Sequence, residues 1–157
     1  MAGVIGICTA TERSCVAATK QTLLQIKNAA NHRAKILSWG VSCDGVSGTG
    51  EPVTVELIVQ STAGTSSAGT TVKQNLGDAE TLATNCLAGF SSTEPTTTSV
   101  IQRVSVHPQG GYQETLPFGQ EILVGGASAD TTRVGIAVTV PTGGATINVV
   151  PFFRFEE

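Results

Sequence analysis

Candidate catalytic residues are few, and their spacing matches no common catalytic motif. The chain contains two histidines, His32 and His107, and a serine hydrolase would need one of them beside a nucleophilic serine and a carboxylate. The Gly-x-Ser-x-Gly sequence that carries this serine in many such enzymes is absent. His107 precedes Pro108, a position typical of a hydrogen-bonded turn, and His32 next to Arg33 is typical of a solvated or interface residue. The sequence therefore predicts no catalytic residue and no enzymatic activity.

Motifs for metals and cofactors are equally sparse. Asp44 and Glu51 flank a glycine-rich segment, but the series of Asp or Asn residues that an EF-hand calcium loop requires does not stand between them. Gly48-x-Gly50 lacks the third glycine of a dinucleotide-binding motif and precedes a predicted strand instead of a helix. The sequence therefore predicts a structural loop here, with no metal site and no cofactor.

The four cysteines, at positions 8, 15, 43 and 86, are widely spaced. None belongs to a Cys-x-x-Cys pair, so the spacing predicts neither a zinc site nor a dithiol redox motif. Reduced structural thiols are the expectation for a chain that is made in a cytoplasm. A Cys8–Cys15 disulfide, formed after release into an oxidising medium, is an alternative that the sequence leaves open.

Charged residues make up only 13% of the chain, about half of the roughly 25% that is usual. The net charge is −3 and the basic residues are scattered, so no basic cluster could neutralise a run of phosphates and no nucleic-acid binding is predicted. The lack of a long apolar stretch predicts cytoplasmic synthesis and no membrane partner. Few long charged side chains favour close contact with a protein partner, although a secreted β-protein would have the same composition.

The elements that would position any site are predicted to be strands. The clearest is 53–60, where Val53, Val55, Leu57 and Val59 form one apolar face. Further strands are predicted at 20–27, 33–43, 100–106, 120–124, 133–140 and 146–156, the first of which is also compatible with a helix. A short helix is compatible with 78–87. About seven or eight strands joined by turns predict an all-β fold, a single-domain antiparallel β-sandwich or jelly roll.

The strand predicted at 33–43 has one face of large and one face of small side chains. The large face consists of Lys35, Leu37, Trp39, Val41 and Cys43. Trp39 is expected to face the core, which matters because Trp39 and Tyr112 are the only candidates for stacking on a sugar ring.

The first eighteen residues are small, apolar and weakly patterned. This predicts a partly ordered N-terminal arm over residues 1–18, with Val4, Ile5 and Ile7 available for docking on a neighbouring subunit. Residues 19–157 would then form the sandwich domain. A frayed terminus is the alternative interpretation.

The last predicted strand is apolar on both faces. One face holds Ile147, Val149, Phe153 and Phe155. The other face holds Val150 and Phe152. A strand of this kind must be covered on both sides. The second cover could come from loops of the opposite sheet or from a neighbouring subunit. Because the chain has few other large side chains, the sequence favours the neighbour and predicts that Phe152, Phe153 and Phe155 lie at a seam between subunits.

Several segments together carry a resemblance to a known group of proteins. They are NHRAKILSWGVSCDG at 31–45, EPVTVEL at 51–57, QSTAGT at 60–65, HPQGG at 107–111 and PFGQE at 117–121. The chain resembles short β-rich proteins of tailed bacteriophages and related prophages. It is also similar in plan to jelly-roll capsid decoration (cementing) proteins, whose trimers sit on the phage head at local three-fold positions. The resemblance covers roughly residues 20–157 and marks a fold more than an activity.

This resemblance implies a structural virion protein on the capsid surface. It implies a homotrimer that contacts the major capsid protein and stabilises the phage head without a cofactor. Two alternatives remain at this stage: a tail, neck or fibre protein or an extracellular filament subunit, and a carbohydrate- or receptor-binding module.

Overall fold

The computed structural model describes residues 3–44, 51–125 and 132–157. In these residues the chain forms thirteen β-strands and no helix. The strands are β1 (Ile5–Thr9), β2 (Arg13–Cys15), β3 (Lys20–Lys27), β4 (Arg33–Cys43), β5 (Val53–Gln60), β6 (Ser67–Ala68), β7 (Thr70–Lys73), β8 (Asn85–Ala88), β9 (Thr97–Val106), β10 (Gly111–Thr115), β11 (Ile122–Gly125), β12 (Arg133–Thr139) and β13 (Ile147–Glu156). The glycine-rich loop predicted after Asp44 lies largely outside the described residues.

Two antiparallel sheets form the sandwich, which confirms the predicted fold class. Sheet 1 has the order β10-β4-β13-β1-β7, with β11 also paired to β4 and β2 to β13. Sheet 2 has the order β6-β8-β3-β12-β5-β9. Within this arrangement β10-β4-β13-β1 belong to one sheet and β3-β12-β5-β9 to the other, which is the interleaved strand order of a jelly roll. The short strands β6, β7 and β8, from the β5–β9 connection, extend both sheets at one edge.

The structure resolves the two segments for which the sequence left a helix open, residues 20–27 and 78–87. The first segment is the strand β3, because it pairs with β12 on one side and β8 on the other. The second segment contains no helix. The Glu157 carboxylate accepts hydrogen bonds from the backbone N–H groups of Ala83 at 2.6 Å and Thr84 at 2.8 Å, and β8 follows directly.

A β-bulge changes the inward face of β4 partway along the strand. Arg154 of β13 pairs with Ser38, but the next residue pairs with Ile36, so Leu37 is the extra residue. Trp39 therefore faces the core as predicted, whereas Ile36 is also buried and Lys35 is exposed. The prediction of one continuous large face is wrong because a bulge shifts the two-residue alternation by one position.

The N-terminal segment is part of sheet 1 and not a separate arm. β1 pairs with β13 on one side and β7 on the other, and β2 pairs with β13. The backbone of Val4 exchanges two hydrogen bonds with Glu157, at 2.9 and 3.0 Å. Because both edges of β1 are occupied within the chain, this strand cannot add to a neighbour's sheet. The division into an arm and a domain at residue 18 is therefore wrong for the described residues.

The C-terminal strand β13 lies in the middle of sheet 1, between β4 and β1. Phe153 and Phe155 point into the core and are 0% exposed. The Phe155 ring lies over Gly6, where a Cβ atom would come within 2.3 Å of the ring. These two phenylalanines are therefore covered by their own chain, and the prediction that they lie at a subunit seam is wrong.

Candidate functional site

Two of the residues considered for catalysis or metal binding, His107 and Asp44, make structural hydrogen bonds. The exposed His107 accepts a hydrogen bond at Nδ1 from the backbone N–H of Gln109, 3.2 Å away, which confirms its role in a turn. His32 is exposed. The Asp44 carboxylate accepts hydrogen bonds from the backbone and side-chain nitrogens of Asn148, at 3.0 and 3.3 Å. Asp44 therefore joins the end of β4 to the start of β13.

Trp39, one of the two predicted sugar-stacking candidates, lies in the core, whereas Tyr112 is partly exposed. Trp39 is 0% exposed, and Tyr112 packs against it with the ring centroids 5.2 Å apart. The Tyr112 hydroxyl accepts a hydrogen bond from Gln102 and donates one to Glu114. Burial and the neighbouring Glu114 carboxylate raise the pKa of Tyr112. This cluster joins β10 of sheet 1 to β9 of sheet 2 at one edge of the sandwich.

The outward side of sheet 2 is covered by the chain itself; we call it the closed face. Gln25, Gln60 and Ile58 point outward from this sheet, yet each is 0% exposed. The cover consists of residues 61–66 and 89–96, here named the covering loops. They are held together by backbone hydrogen bonds between Thr65 and Thr93 at 2.8 Å and between Ser91 and Thr65 at 3.0 Å.

Polar side chains under the covering loops form a buried network. Gln25 Nε2 donates to Gln60 Oε1 at 2.7 Å and to the Thr62 carbonyl at 3.0 Å. Gln60 Nε2 donates to the Thr22 hydroxyl at 3.0 Å. The Glu94 carboxylate accepts from the Thr22 backbone N–H at 2.8 Å. Because an unpaired buried polar group is costly, this network fixes the covering loops in one position.

A charged cluster lies beside this network. Glu56, whose side chain is 5% exposed, accepts from Lys20 and from Arg103, each at 2.5 Å. Burial alone would raise the pKa of the Glu56 carboxyl, but the hydrogen bonds and positive charges of Lys20 and Arg103 outweigh it and hold this pKa below its ordinary value of 4.5. The cluster ties together β3, β5 and β9.

The outward side of sheet 1 has no such cover among the described residues; we call it the open face. Val72, Ile7, Arg154 and Ser38 stand side by side in one row across β7, β1, β13 and β4. A second row contains Thr9, Phe152, Gly40 and Gln113, and a third contains Val150, Ser42 and Gly111. Val72 is 44% exposed and Val150 is 42% exposed.

Small residues make the open face flat. The Phe152 ring lies over Gly40, where a Cβ atom would come within 2.6 Å of it. A shallow groove of about 380 Å³ runs past Phe152, Val150 and Ser42 toward β10. A further row holds Ile5, Glu156 and Lys35, with an ion pair of 3.8 Å between the last two. The open face therefore combines exposed apolar side chains with a few charged ones at the end of the sheet that carries Arg154, as protein interfaces do.

The predicted contact residues divide between the core and this face. Val4 is buried, as are Phe153 and Phe155. Ile5, Ile7 and Phe152 are partly exposed on the open face, where they occupy three successive rows. Sequence reasoning missed Val72, because residues 61–71 read as a hydroxyl-rich loop, so that the short strand β7 was not predicted.

The cysteines are all unpaired and buried. Cys8 and Cys15 pair with opposite ends of β13, at Phe153 and Ile147. Six residues of strand span about 20 Å, far beyond the reach of a disulfide. A Cys8–Cys15 bond is thus incompatible with this fold. Burial raises the pKa of Cys15 and of Cys43 to about 11.

Within the described parts of the chain, no three His, Cys, Asp or Glu side chains come together as a metal site would require. The same residues include no helix of the length and apolarity needed to cross a membrane. Comparison of the chain with protein-family models, with curated proteins and with solved structures finds no significant match.

Proposed function

We propose that this protein is a structural virion protein, a capsid decoration protein of a tailed bacteriophage. It would act as a homotrimer that binds the major capsid protein and stabilises the head mechanically, without catalysis or a cofactor. The proposal rests on the sequence resemblance and on one structural observation, the open face.

The open face supports assembly because the described residues cover the opposite side of the sandwich but not this one. Burial of apolar area would favour association by about 25 cal/mol per Å². This area would come from Val72, Val150 and Phe152. The long charged side chains of the open face, Arg154, Glu156 and Lys35, lie beyond the Phe152 and Val150 rows, so a contact centred on those rows would order few of them. A stable contact would bury roughly 1,200–2,000 Å² in total, an area that a flat sheet surface is suited to provide.

The fold is compatible with this role but does not select it. Jelly rolls occur in viral capsid proteins and also in lectins. The buried Trp39 removes the main sugar-stacking candidate of the sequence, so the carbohydrate alternative has no structural support in the described residues.

A matched pair of substitutions tests the proposal. Val150 on the open face and Val100 on the edge strand β9 are each 42% exposed. We expect Val150→Asp to weaken trimer formation and binding to phage heads at least tenfold, because a carboxylate would have to be desolvated in the contact. Val100→Asp should change both by less than about twofold.

The measurements are particle mass at micromolar concentration and electron microscopy of phage heads mixed with the purified protein. A wild-type protein that stays monomeric and leaves the heads bare would refute the proposal. Equal binding by the Val150→Asp variant would refute the role of the open face.

A tail, fibre or filament subunit is the second candidate, and Phe118 favours it. This side chain is 98% exposed on the loop between β10 and β11. The loop is ordered by hydrogen bonds from Gln120 N–H to the Pro117 carbonyl and from Gly119 N–H to Glu121, at 2.9 and 2.8 Å. A single projecting aromatic residue suits a head-to-tail contact, which can build an open polymer. Filaments instead of decorated heads in the micrographs would select this candidate.

A further inference from the structure

Cys8 and Cys86 meet inside the sandwich although they belong to different sheets. Cys8 lies on β1 of sheet 1 and is 0% exposed, whereas Cys86 lies on β8 of sheet 2 and is 1% exposed. The Thr71 hydroxyl lies between them, 3.5 Å from Cys8 Sγ and 3.1 Å from Cys86 Sγ. Strands β1 and β8, which carry the two cysteines, also contact each other.

The approach of the two sheets at this edge explains the encounter. The chain passes from β6 in sheet 2 to β7 in sheet 1 through Gly69. The backbone N–H of Gly69 donates to the Cys86 carbonyl at 2.9 Å. A Cβ atom at position 69 would lie 2.8 Å from Cys86 Sγ, so the glycine leaves the space that the sulfur occupies.

We propose that Cys8 and Cys86 form an intramolecular disulfide that links the two sheets when the protein meets a small-molecule disulfide such as oxidised glutathione. The inference is independent of the proposed function. The bond would hold β1 to β8 and close the long chain segment between residues 8 and 86.

The remaining thiols do not offer an equivalent pair. Cys15 on β2 and Cys43 on β4 flank β13 on opposite sides, next to Ile147 and Val149. Two strand spacings separate their backbones by roughly 9–10 Å, and Cα atoms more than about 7 Å apart cannot be bridged without backbone movement.

The reaction balances as two thiol–disulfide exchanges. The Cys86 thiolate attacks one sulfur of oxidised glutathione, which forms a mixed disulfide and releases one glutathione thiolate. Cys8 then loses its proton, and its sulfur attacks Cys86 Sγ and releases the second glutathione thiolate. The two protein thiols are oxidised, glutathione disulfide is reduced to two thiols, and the two protons pass to them.

The site also distinguishes the attacking sulfur from the resolving one. The interactions with Cys8 and with the Thr71 hydroxyl lower the pKa of the Cys86 thiol, against the opposing effect of burial. The same contact with Cys86, together with burial, raises the pKa of Cys8. Thr71 and Asn85, the neighbour of Cys86, line a surface groove of about 290 Å³. The two sulfurs are buried and do not line this groove, so the exchange requires a local opening of this edge of the sandwich.

Peptide mapping of the wild-type protein provides the decisive test. Reduced full-length protein is incubated with oxidised glutathione and digested without reductant. We expect a Cys8–Cys86 cross-linked peptide, an intact mass lower by two hydrogen atoms, and a melting temperature higher by roughly 10 °C, since the bond closes a long loop. Glutathione that remains on Cys86, a bond between other cysteines, or four thiols that stay reduced would overturn the proposal.

Variants check the assignment without depending on a single substitution. The Cys15→Ala, Cys43→Ala double variant should form the bond as the wild type does. Cys86→Ala should abolish both the mass change and the rise in melting temperature. Thr71→Val, which keeps the shape of the side chain, should slow bond formation several-fold because the thiolate loses a hydrogen bond. A wild-type rate in Thr71→Val would contradict the role given to the hydroxyl.

Discussion

The two outward sides of the sandwich differ in how their side chains are covered. On the closed face, residues 61–66 and 89–96 of the chain itself cover polar side chains such as Gln25 and Gln60, which are fully buried. On the open face, Val72 and Val150 stay more than two-fifths exposed. On the closed face, hydrogen bonds hold the covering loops, and these bonds depend on the orientation of their partners. The open face can make apolar contacts, which depend little on orientation.

This difference separates a surface that the chain covers itself from one that its described residues leave in contact with solvent. Buried amides specify one arrangement, because a shift of the covering loops would leave polar groups unpaired. A flat apolar surface specifies much less and can accept another protein with little rearrangement. The closed face is therefore expected to control stability, and the open face association.

Adjacent phenylalanines on β13 give the largest expected contrast. Phe153 faces the core and Phe152 the open face. Phe153→Ala should lower the free energy of unfolding by about 3–5 kcal/mol because it opens a cavity between the sheets. Phe152→Ala should cost about 1 kcal/mol, since its ring is partly exposed. Urea denaturation of both variants measures the difference, and equal losses would contradict the assignment of the two faces.

Two glutamines provide a smaller contrast between the faces. Gln60→Ala removes the partner of Gln25 and Thr22 under the covering loops, so we expect a loss of about 1–3 kcal/mol in the free energy of unfolding. Gln113→Ala on the open face should change it by less than about 0.5 kcal/mol. Hydrogen exchange would show faster opening of the covering loops only in the Gln60 variant. A Gln60→Ala protein as stable as the wild type would mean that the buried network does not hold the covering loops.

The ion cluster of Glu56 should give the smallest effect, visible as a pH dependence. The pKa of this carboxyl is held below 4.5 in the folded protein, so its ionised form favours folding above that pH and the contribution is lost as the pH falls through the folded-state pKa. Glu56→Gln should flatten this part of the stability profile, while the exposed Glu12→Gln control should not. The measurement is the melting temperature of the three proteins between roughly pH 3 and 6. Identical pH profiles for wild type and Glu56→Gln would contradict the role given to the Glu56 carboxylate.

Local patterns predicted the strands well where one face is buried and the other is not. The segment 33–43 has the predicted limits as β4, and 53–60 forms β5 with Val53, Val55 and Leu57 in the core. These predictions succeed because alternation reflects burial directly. They fail at bulges: Leu37 shifts the alternation in β4, and Ile101 is the extra residue where β9 pairs with β5.

The ends of the chain show where local patterns carry too little information. Residues 5–9 have no strong alternation, but they pair on both edges with β13 and β7, which lie far away in the sequence. Phe153 and Phe155 find their cover on the opposite sheet and over Gly6, so no second subunit is needed for them. Which strands lie next to each other depends on the fold of the whole chain, and the sequence of one segment does not contain that information.

The sequence by itself determined the all-β class and the positions of the long strands, because side-chain alternation and turn residues act over a few neighbouring positions. It also indicated that catalytic and metal motifs are absent. Only the tertiary structure decided which side of the sandwich is covered, that Cys8 lies near Cys86 and not Cys15, and which of the two apolar faces of β13 points outward. Those features depend on contacts between residues distant in sequence, and the packing of two sheets fixes them.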